Sequence, residues 1–537
     1  NRAELQPGGS SAAPGLGRDH LFAAVSTRSA APKGTLTGLP LVSPQKKRYS
    51  LLAMDLDQNH AVKTPGRKIS YCVGLIVIAM LSLPSQADLP RPNIVLIYVD
   101  DLGYGDLSSY GHPIIETPNL TALAASGIQL TNYYAPSALC SPSRAALLTG
   151  RHPYRTGIQS WIPKGSGSYL KADEVTLPEV LKTAGYETAL IGKWHLNSDL
   201  GNPQEPQPND QGFDYFFGHN AFQIPTNRNP TNLYRNRTAL PTQSGYTAQI
   251  YADQALAWLS DRSDDTPFFL MLSMAEPHTP IENPEAMNAK YRAYTQGTIV
   301  PIPSGAADIP KDKLIPRGPG EYYANIDYMD AQLGRVLAFL DETNRAPDTI
   351  IVFASDNGPV TSDWINWYEV NAYGSTGGLK GRKHFLHEGG IKVPAIIRYP
   401  SRLPAGIQSN QLMTGTDWFA TLLSLAGVAP PRDRPIDSVD MGFAADQTKP
   451  PASRILHWAL PTPDALDFAV REGAFKLLID RTGVPRELFN LQEDPLELFN
   501  LVEVEPVITA RLLAYHHDVL NRINADPLLR RPTASDS

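Results

Sequence analysis

Cys140 is the residue whose setting most favours chemistry. It opens the run Cys140-Ser141-Pro142-Ser143-Arg144, and the chain has one other cysteine, Cys72. Pro142 suits the first position of a helix, and Gly150 suits the position just past its end. Free N–H groups at a helix start attract anions, and the guanidinium of Arg144 adds a permanent charge there. These features favour chemistry at Cys140: a simple thiolate nucleophile fits them, and a buried structural thiol is the alternative.

Acidic and amide side chains follow two predicted strands at matching positions. Asp100-Asp101 comes directly after the apolar run Ile94–Val99, and Asp356-Asn357 comes just after Thr349–Ala354. Neighbouring carboxylates repel, so holding them together needs a cation or protons. Oxygen-only ligands suit Ca²⁺ or Mg²⁺. The alternative is that Asp100-Asp101 caps a helix and that Asp356-Asn357-Gly358 is a turn. The matching positions favour a metal site.

Basic side chains follow two further predicted strands. Lys193 and His195 lie beyond Thr188–Ile191, two residues apart, and point the same way if the chain is extended. His278 follows Phe268–Met274. Ligands of open α/β sheets bind at the carboxyl ends of strands, so we expect these groups at one site. Taken alone, His278 also fits a loop histidine bonded to backbone.

The elements that must position these groups alternate along the chain. Besides the strands above, Ala395–Tyr399 is a predicted strand, and helices are predicted at 118–125, 177–183 and 322–342. Strands alternating with helices predict an α/β sandwich around a mostly parallel sheet. Beyond the Pro-rich stretch 430–435, strand-like pieces at 475–479 and 487–491 and a helix near 506–523 predict a smaller antiparallel α+β unit.

The first 87 residues differ from the rest. Residues 1–53 lack periodicity, and Met54 is followed by Arg67-Lys68, the apolar run Ile69–Leu83 and the small-x-small pattern Ser85-Gln86-Ala87. This order predicts a signal peptide at 54–87, with a retained membrane anchor as the alternative. Residues 1–87 carry ten Lys and Arg and four Asp and Glu, a net +6, so the remainder carries −7 − 6 = −13. An acidic body without a basic cluster argues against nucleic acid as a partner.

The motifs together resemble those of the formylglycine-dependent (type I, cysteine-type) sulfatases, arylsulfatase-like members of the alkaline phosphatase superfamily. The signature is Cys140-Ser141-Pro142-Ser143-Arg144 with Leu148-Thr149-Gly150-Arg151. The resemblance runs from about Asn93 to Leu501, and the other matching motifs follow in family order: Asp100-Asp101, Gly192-Lys193-Trp194-His195, Glu276-Pro277-His278, Ser355-Asp356-Asn357-Gly358, Gly378-Leu379-Lys380-Gly381 and Glu388-Gly389-Gly390. It implies the alkaline-phosphatase-like sandwich and hydrolysis of sulfate esters.

The resemblance also implies a metal and a modified nucleophile. Asp100, Asp101, Asp356 and Asn357 would bind Ca²⁺, in preference to Mg²⁺, together with residue 140. A formylglycine-generating enzyme would convert Cys140 into Cα-formylglycine during maturation. Hydrated formylglycine is a gem-diol, and one of its hydroxyls would attack sulfur.

The remaining roles implied by the resemblance belong to cations. Arg144 would steady the attacking hydroxyl, and His195 would hydrogen-bond the second hydroxyl and take its proton. Lys193, Lys380 and His278 would bind the sulfate oxygens, and His278 or Lys380 would help to protonate the departing alcohol. Lys380, set among glycines, also fits plain solvated surface.

These inferences define the expected protein. We expect an N-terminal extension at 1–53, a signal peptide at 54–87, a catalytic domain at 88–448 and an α+β subdomain at 449–537. We expect an exported enzyme, periplasmic or extracellular and not inserted in a membrane after cleavage, that hydrolyses sulfated carbohydrates and also aryl sulfates. The segments 201–230 and 283–316 are expected to line the cleft mouth. The alternatives are a phosphonate or phosphodiester hydrolase of the same superfamily and an inactive sulfate-ester-binding protein.

Overall fold

A computed structural model describes residues 91–221, 226–295, 319–360, 373–443 and 454–529. All of them belong to a compact unit spanning Gln86–Ser537. The expected extension and signal peptide, and much of the predicted mouth segment 283–316, lie outside the described residues. In the described part, no helix combines the length and apolarity needed to cross a bilayer.

Sixteen strands occur in the described ranges. They are β1 Asn93–Val99, β2 Ile128–Leu130, β3 Tyr133–Tyr134, β4 Glu187–Lys193, β5 Tyr215–His219, β6 Tyr234–Arg235, β7 Thr238–Ala239, β8 Phe268–Ser273, β9 Thr349–Ser355, β10 Ala395–Arg398, β11 Ile407–Ser409, β12 Met413–Thr414, β13 Ile455–Ala459, β14 Phe468–Glu472, β15 Phe475–Ile479 and β16 Pro485–Asn490.

Ten α-helices occur in the same ranges. They are α1 Pro118–Ala125, α2 Cys140–Thr149, α3 Pro153–Thr156, α4 Leu177–Thr183, α5 Thr247–Ser260, α6 Glu285–Lys290, α7 Gly320–Glu342, α8 Glu388–Ile391, α9 Trp418–Leu425 and α10 Pro506–Asn524.

The central sheet has ten strands in the order β11-β2-β10-β9-β1-β8-β4-β5-β6-β7. The five strands β9, β1, β8, β4 and β5 run parallel, and β10 pairs antiparallel with β9. The carboxyl ends of the parallel strands therefore share one edge, where the predicted site residues follow. The mostly parallel sheet of the sequence prediction is confirmed.

Strand β1 shows why a continuous apolar run was the right signal. Val95, Ile97 and Val99 point into one core and Ile94, Leu96 and Tyr98 into the other, all without solvent exposure. Helices α1, α5 and α7 cover the first face, and α2, α4 and α9 cover the second. Burial on both faces contributes about 1.5–3 kcal/mol for each large apolar side chain, which fixes this strand at the centre.

A second, four-stranded antiparallel sheet has the order β13-β14-β15-β16. Helix α10 packs on one of its faces through Leu512, against Val470 and Leu477. Its other face, through Trp458 and Leu478, joins a cluster with Leu139, the residue before Cys140. The predicted C-terminal antiparallel unit is thus present, and it packs close to the predicted nucleophile.

Candidate active site

Three carboxylates and one thiol converge at the carboxyl edge of the central sheet. Asp100 and Asp101 follow β1, Asp356 follows β9, and Cys140 opens α2. One ligand atom from each lies within 4.8 Å of the others, and all four residues are buried. The paired register of β1 and β9 brings the two acidic motifs together, as the sequence predicted. Asn357 joins them because its Nδ2 donates to Asp101 Oδ1 at 2.7 Å.

Two lysines neutralise the Asp100-Asp101 pair. Lys193 Nζ lies 2.5 Å from Asp100 Oδ2, and Lys383 Nζ lies 2.5 Å from Asp101 Oδ1. Burial alone would favour the neutral acid, but the charges of Lys193, His278 and Arg144 lower the pKa of Asp100 well below its ordinary value. The carboxylate of Asp100 is therefore ionised at neutral pH.

Arg144 holds Asp356 and reaches across the strand ends. Its Nη2 and Nε donate to Asp356 Oδ2 at 2.8 and 3.1 Å, and its Nη1 donates to Ser273 Oγ at 2.6 Å. Arg144 comes four residues after Cys140, so the two residues lie on adjoining turns of α2. The guanidinium is thereby locked in orientation, because a planar fork with three fixed bonds has little rotational freedom.

Helix α2 begins two residues earlier than predicted. Cys140 itself is the first helical residue and Leu139 is the cap, while Pro142 is third. Gly150 ends the helix with φ 66°, as its position predicted. Leu139, the residue before the helix, is buried in the cluster that includes the C-terminal sheet. Cys140 is thus placed at the open N–H groups of the helix rather than ahead of them.

The Cys140 thiol is held neutral by its surroundings. Its Sγ donates to Asp100 Oδ1 at 3.4 Å and accepts from Lys383 Nζ at 3.4 Å. Burial and the Asp100 charge raise the pKa of this thiol, and Lys193 and Lys383 only partly offset them. Burial, more than the nearby carboxylates, therefore disfavours a simple thiolate at this position of the unmodified chain.

The two predicted histidines differ in solvent exposure and in the hydrogen bonds that their ring nitrogens make. His195 Nε2 lies 3.1 Å from the carbonyl oxygen of Ile162, so Nε2 carries the proton and Nδ1 is an acceptor. Nδ1 accepts no hydrogen bond from the described residues, and burial together with Lys193 and Arg144 lowers the pKa of the ring. His278 is 18% exposed and places Nε2 3.7 Å from Asp101 Oδ2, which marks the mouth of the site.

Lys380 is not brought to the acidic cluster in this structure. Its ammonium lies 3.3 Å from Glu487 Oε2 and over the ring of Phe489, and its side chain is 38% exposed. Lys383, which sequence reasoning missed, occupies the place beside Asp101 and Cys140. Lys383 lies in a turn five residues before Glu388, outside any helix, and no local pattern distinguishes it from Lys380.

Helix α8 connects the loop that carries Lys380 and Lys383 to Asn357 and to the C-terminal sheet. Gly389 N donates to Lys380 O at 2.7 Å, and Gly390 O accepts from Gly358 N at 3.0 Å, next to Asn357. The Glu388 carboxylate bonds to Lys476 Nζ on β15 at 3.0 Å. Burial disfavours the ionised form of Glu388, but the charges of Lys476 and Arg471 lower the pKa of its carboxyl group to about 2.

The acidic cluster fits a hard divalent cation. Asp101 Oδ2 and Asn357 Oδ1 are buried and accept no hydrogen bond within the described ranges. Buried oxygens rarely stay without a partner, and these two belong to an oxygen-rich set of the kind that Ca²⁺ takes. Asp100, Asp101 and Asp356 are balanced by Lys193, Lys383 and Arg144, so a bound dication would leave the pocket positive. Such a pocket attracts an anionic group beside residue 140.

Comparison with known proteins agrees with this arrangement. The sulfatase family model matches residues 92–428, and a model described as N-sulphoglucosamine sulphohydrolase, C-terminal, matches residues 381–522. N-acetylgalactosamine-6-sulfatase of Canis lupus familiaris is 33% identical over 391 residues, which cover 68% of each chain. Arylsulfatase A of Homo sapiens is 32% identical over 456 residues, 79% of this chain and 86% of the relative.

A solved structure extends the comparison to the fold. The crystal structure of Ps i-CgsB in complex with k-i-k-neocarrahexaose has a TM-score of 0.65 and 26% identity, covering 80% of this chain and 92% of that one. The family match spans the central sheet and every residue of the acidic cluster. The chain belongs to the sulfatase family and is a sulfuric ester hydrolase of the alkaline phosphatase superfamily.

Proposed function

We propose that this enzyme hydrolyses sulfate monoesters of carbohydrates, and small aryl sulfates, with formylglycine at position 140 and Ca²⁺ in the acidic cluster. The observation that carries the proposal is the convergence of Cys140 with Asp100, Asp101 and Asp356 within 4.8 Å. Relatives that act on sulfated sugars, to judge from their names, support the carbohydrate class. The predicted leader supports export, to the periplasm or beyond the cell.

The unmodified thiol is poorly suited to the reaction. Its pKa is raised, so the thiol carries little thiolate at neutral pH. As formylglycine, residue 140 supplies a hydrated aldehyde whose hydroxyl can attack sulfur. Asp100, Asp101, Asp356 and Asn357 would hold Ca²⁺, which supplies charge stabilisation to the sulfate oxygens. Maturation would need a formylglycine-generating enzyme as a partner.

The chain's own cations have separable roles. Arg144, fixed by Asp356 and Ser273, would stabilise charge on the attacking oxygen of residue 140. Lys193 and Lys383 would bind sulfate oxygens, with Lys383 taking the part that the sequence prediction gave to Lys380.

The two histidines suit opposite proton transfers. His195 offers a buried Nδ1 lone pair and a neutral ring, which suits a base that removes a proton from the second hydroxyl at position 140. His278 lies at the exposed side of the cluster, where the leaving alcohol would depart, and would donate a proton to it when protonated.

Two measurements test the proposal. Mass spectrometry of the peptide with residue 140, from protein made in its native host, should show a mass lower by the difference between a thiol and an aldehyde side chain. Hydrolysis rates should be higher on 4-nitrophenyl sulfate than on 4-nitrophenyl phosphate or a phosphonate monoester. Active enzyme with an alkylatable thiol would refute the formylglycine mechanism. Faster phosphonate turnover would favour the superfamily alternative, and a correctly modified protein that binds but never cleaves would favour the binding protein.

A further inference from the structure

A cavity of about 320 Å³ lies at the carboxyl ends of β4 and β5. Its lining includes Lys164, Asp199, Leu200, Asn220, Leu233 and Tyr234. Lys193 and His195 lie at the end of β4, only a few residues before the lining segment 198–200. The His195 ring also bonds to the carbonyl of Ile162, two residues before Lys164. Two walls of the cavity are therefore direct continuations of the chain around His195.

Hydrogen bonds hold these walls in place. Buried Glu205 accepts from Ser198 N and Ser198 Oγ at 2.7 Å each. Gly167 N donates to Ser198 Oγ at 3.1 Å, which ties the Lys164 segment to the same loop. Asn220 Nδ2 donates to Asn197 O at 2.8 Å, which ties the end of β5 to it. A cavity whose walls are bonded to one another binds a ligand without first ordering them.

The lining suits a sugar ring. Leu200, Ala221 and Ala239 give apolar surface, while Tyr234, Asn220, Asp199 and Lys164 bring polar groups around it. A pyranose has an apolar face and a polar edge, and this combination of groups can match both. The volume is at the small end of ligand cavities, which run from about 300 to 1,000 Å³, so it favours a single ring. One ammonium and one carboxylate leave the lining without net charge, which favours an uncharged ring over a sulfated one.

We propose that this cavity binds the uncharged sugar residue next to the one that carries the reacting sulfate. The inference rests on the proposed sulfatase function and deepens it, because it makes the natural substrate an oligosaccharide rather than a monosaccharide. None of the residues that hold the sulfate group is needed for this second contact. The contribution of the cavity should therefore be visible as a dependence of kcat/KM on chain length.

Two variants test the cavity, and one controls for general effects. Lys164→Ala removes a polar group of the lining, and Ala239→Trp fills the cavity from an exposed edge-strand position. Lys171→Ala removes a lysine further along the segment that carries Lys164 and leaves the lining intact. Each is assayed on 4-nitrophenyl sulfate and on sulfated mono-, di- and tetrasaccharides of the carrageenan and chondroitin series.

The quantity compared is the ratio of kcat/KM on a sulfated oligosaccharide to kcat/KM on the matching sulfated monosaccharide. For the wild type, kcat/KM should rise by about tenfold or more from a sulfated monosaccharide to its oligosaccharide, as one or two additional contacts provide. Lys164→Ala and Ala239→Trp should reduce that ratio, and Lys171→Ala should keep it. A wild-type rate independent of chain length, or a ratio unchanged in both cavity variants, would overturn the proposal. Cleavage of the aryl sulfate but of none of the sulfated sugars would overturn the cavity proposal and leave the sulfatase activity intact. A failure to cleave any sulfate ester would refute the proposed function itself.

Discussion

Replacing Lys383 and Lys380 separately decides which lysine binds the sulfate group. Lys383 is buried and lies 2.5 Å from Asp101 and 3.4 Å from the sulfur of Cys140. Removing one preorganised charged donor from such a site lowers kcat by about 10²–10³. Lys380 is more than a third exposed and pairs with the partly exposed Glu487. An exposed pair of that kind contributes about 0–1 kcal/mol to stability. The Lys380 ammonium also lies outside the acidic cluster, beside Glu487 and Phe489, so Lys380→Ala should keep kcat within about threefold of the wild type.

The assay is steady-state hydrolysis of 4-nitrophenyl sulfate, with thermal unfolding followed in parallel. Lys383→Ala leaves the Asp101 charge without its ammonium, and breaking a buried pair costs about 3–5 kcal/mol. Added Ca²⁺ would replace part of the missing charge. The loss of stability in Lys383→Ala should therefore be larger in chelator than in Ca²⁺, whereas Lys380→Ala should show no such difference. A large loss of kcat in Lys380→Ala with near-normal Lys383→Ala would refute the assignment.

Four further predictions follow from the same geometry. Arg144→Lys keeps the charge but loses the fork to Asp356, so kcat should fall by about 10²-fold on aryl sulfate, and near-normal turnover would contradict the positioning role. Removing metal with a chelator should abolish turnover and lower the melting temperature, and Ca²⁺ at about 100 Kd should restore about 2.7 kcal/mol of stability. Glu388 has a folded-state pKa below its unfolded value, so its stabilisation is present above about pH 4.3 and lost toward pH 2. Acid denaturation of Glu388→Gln should accordingly start from a lower stability and show a shallower dependence over that range. His152 and His516 flank His457 in a hydrogen-bonded row, and burial lowers the pKa of both to about 4. The unfolded histidines take up protons at higher pH than the folded ones, so the melting temperature should fall as pH drops from about 6.5 toward 4. The melting temperature of His516→Phe should fall less over the same range.

Much of the fold was predictable because its signals are local. The run Ile94–Val99 is apolar on both faces, and only a strand between two layers buries both. The helix predicted at about 118–125 matches α1, which begins at Pro118 and buries Leu120, Leu123 and Ala124. The pairing of Asp100-Asp101 with Asp356-Asn357 followed from strand ends in a parallel sheet, and the structure brings these residues together.

Other features depended on contacts between distant segments. The start of α2 at Cys140 rather than at Pro142 coincides with the burial of Leu139 among residues of the C-terminal sheet, which lie more than 300 positions further along the chain. The raised pKa of the Cys140 thiol comes from burial and from the charge of Asp100, forty residues away, and no local pattern shows that combination. Lys383, and not Lys380, contacts Asp101. Which lysine reaches the cluster depends on the path of the loop before α8, and Lys476 on β15 anchors that helix by bonding to Glu388.

The sequence by itself therefore determined the layers, the strand ends and the chemical types that gather there, because apolar periodicity and residue identity are properties of short segments. The tertiary structure alone decided which of two lysines faces the carboxylates, the burial that raises the pKa of the thiol, and the cavity beyond His195. Those outcomes depend on distances of a few ångströms between residues far apart in the chain. Electrostatic energies change steeply over such distances once water is excluded.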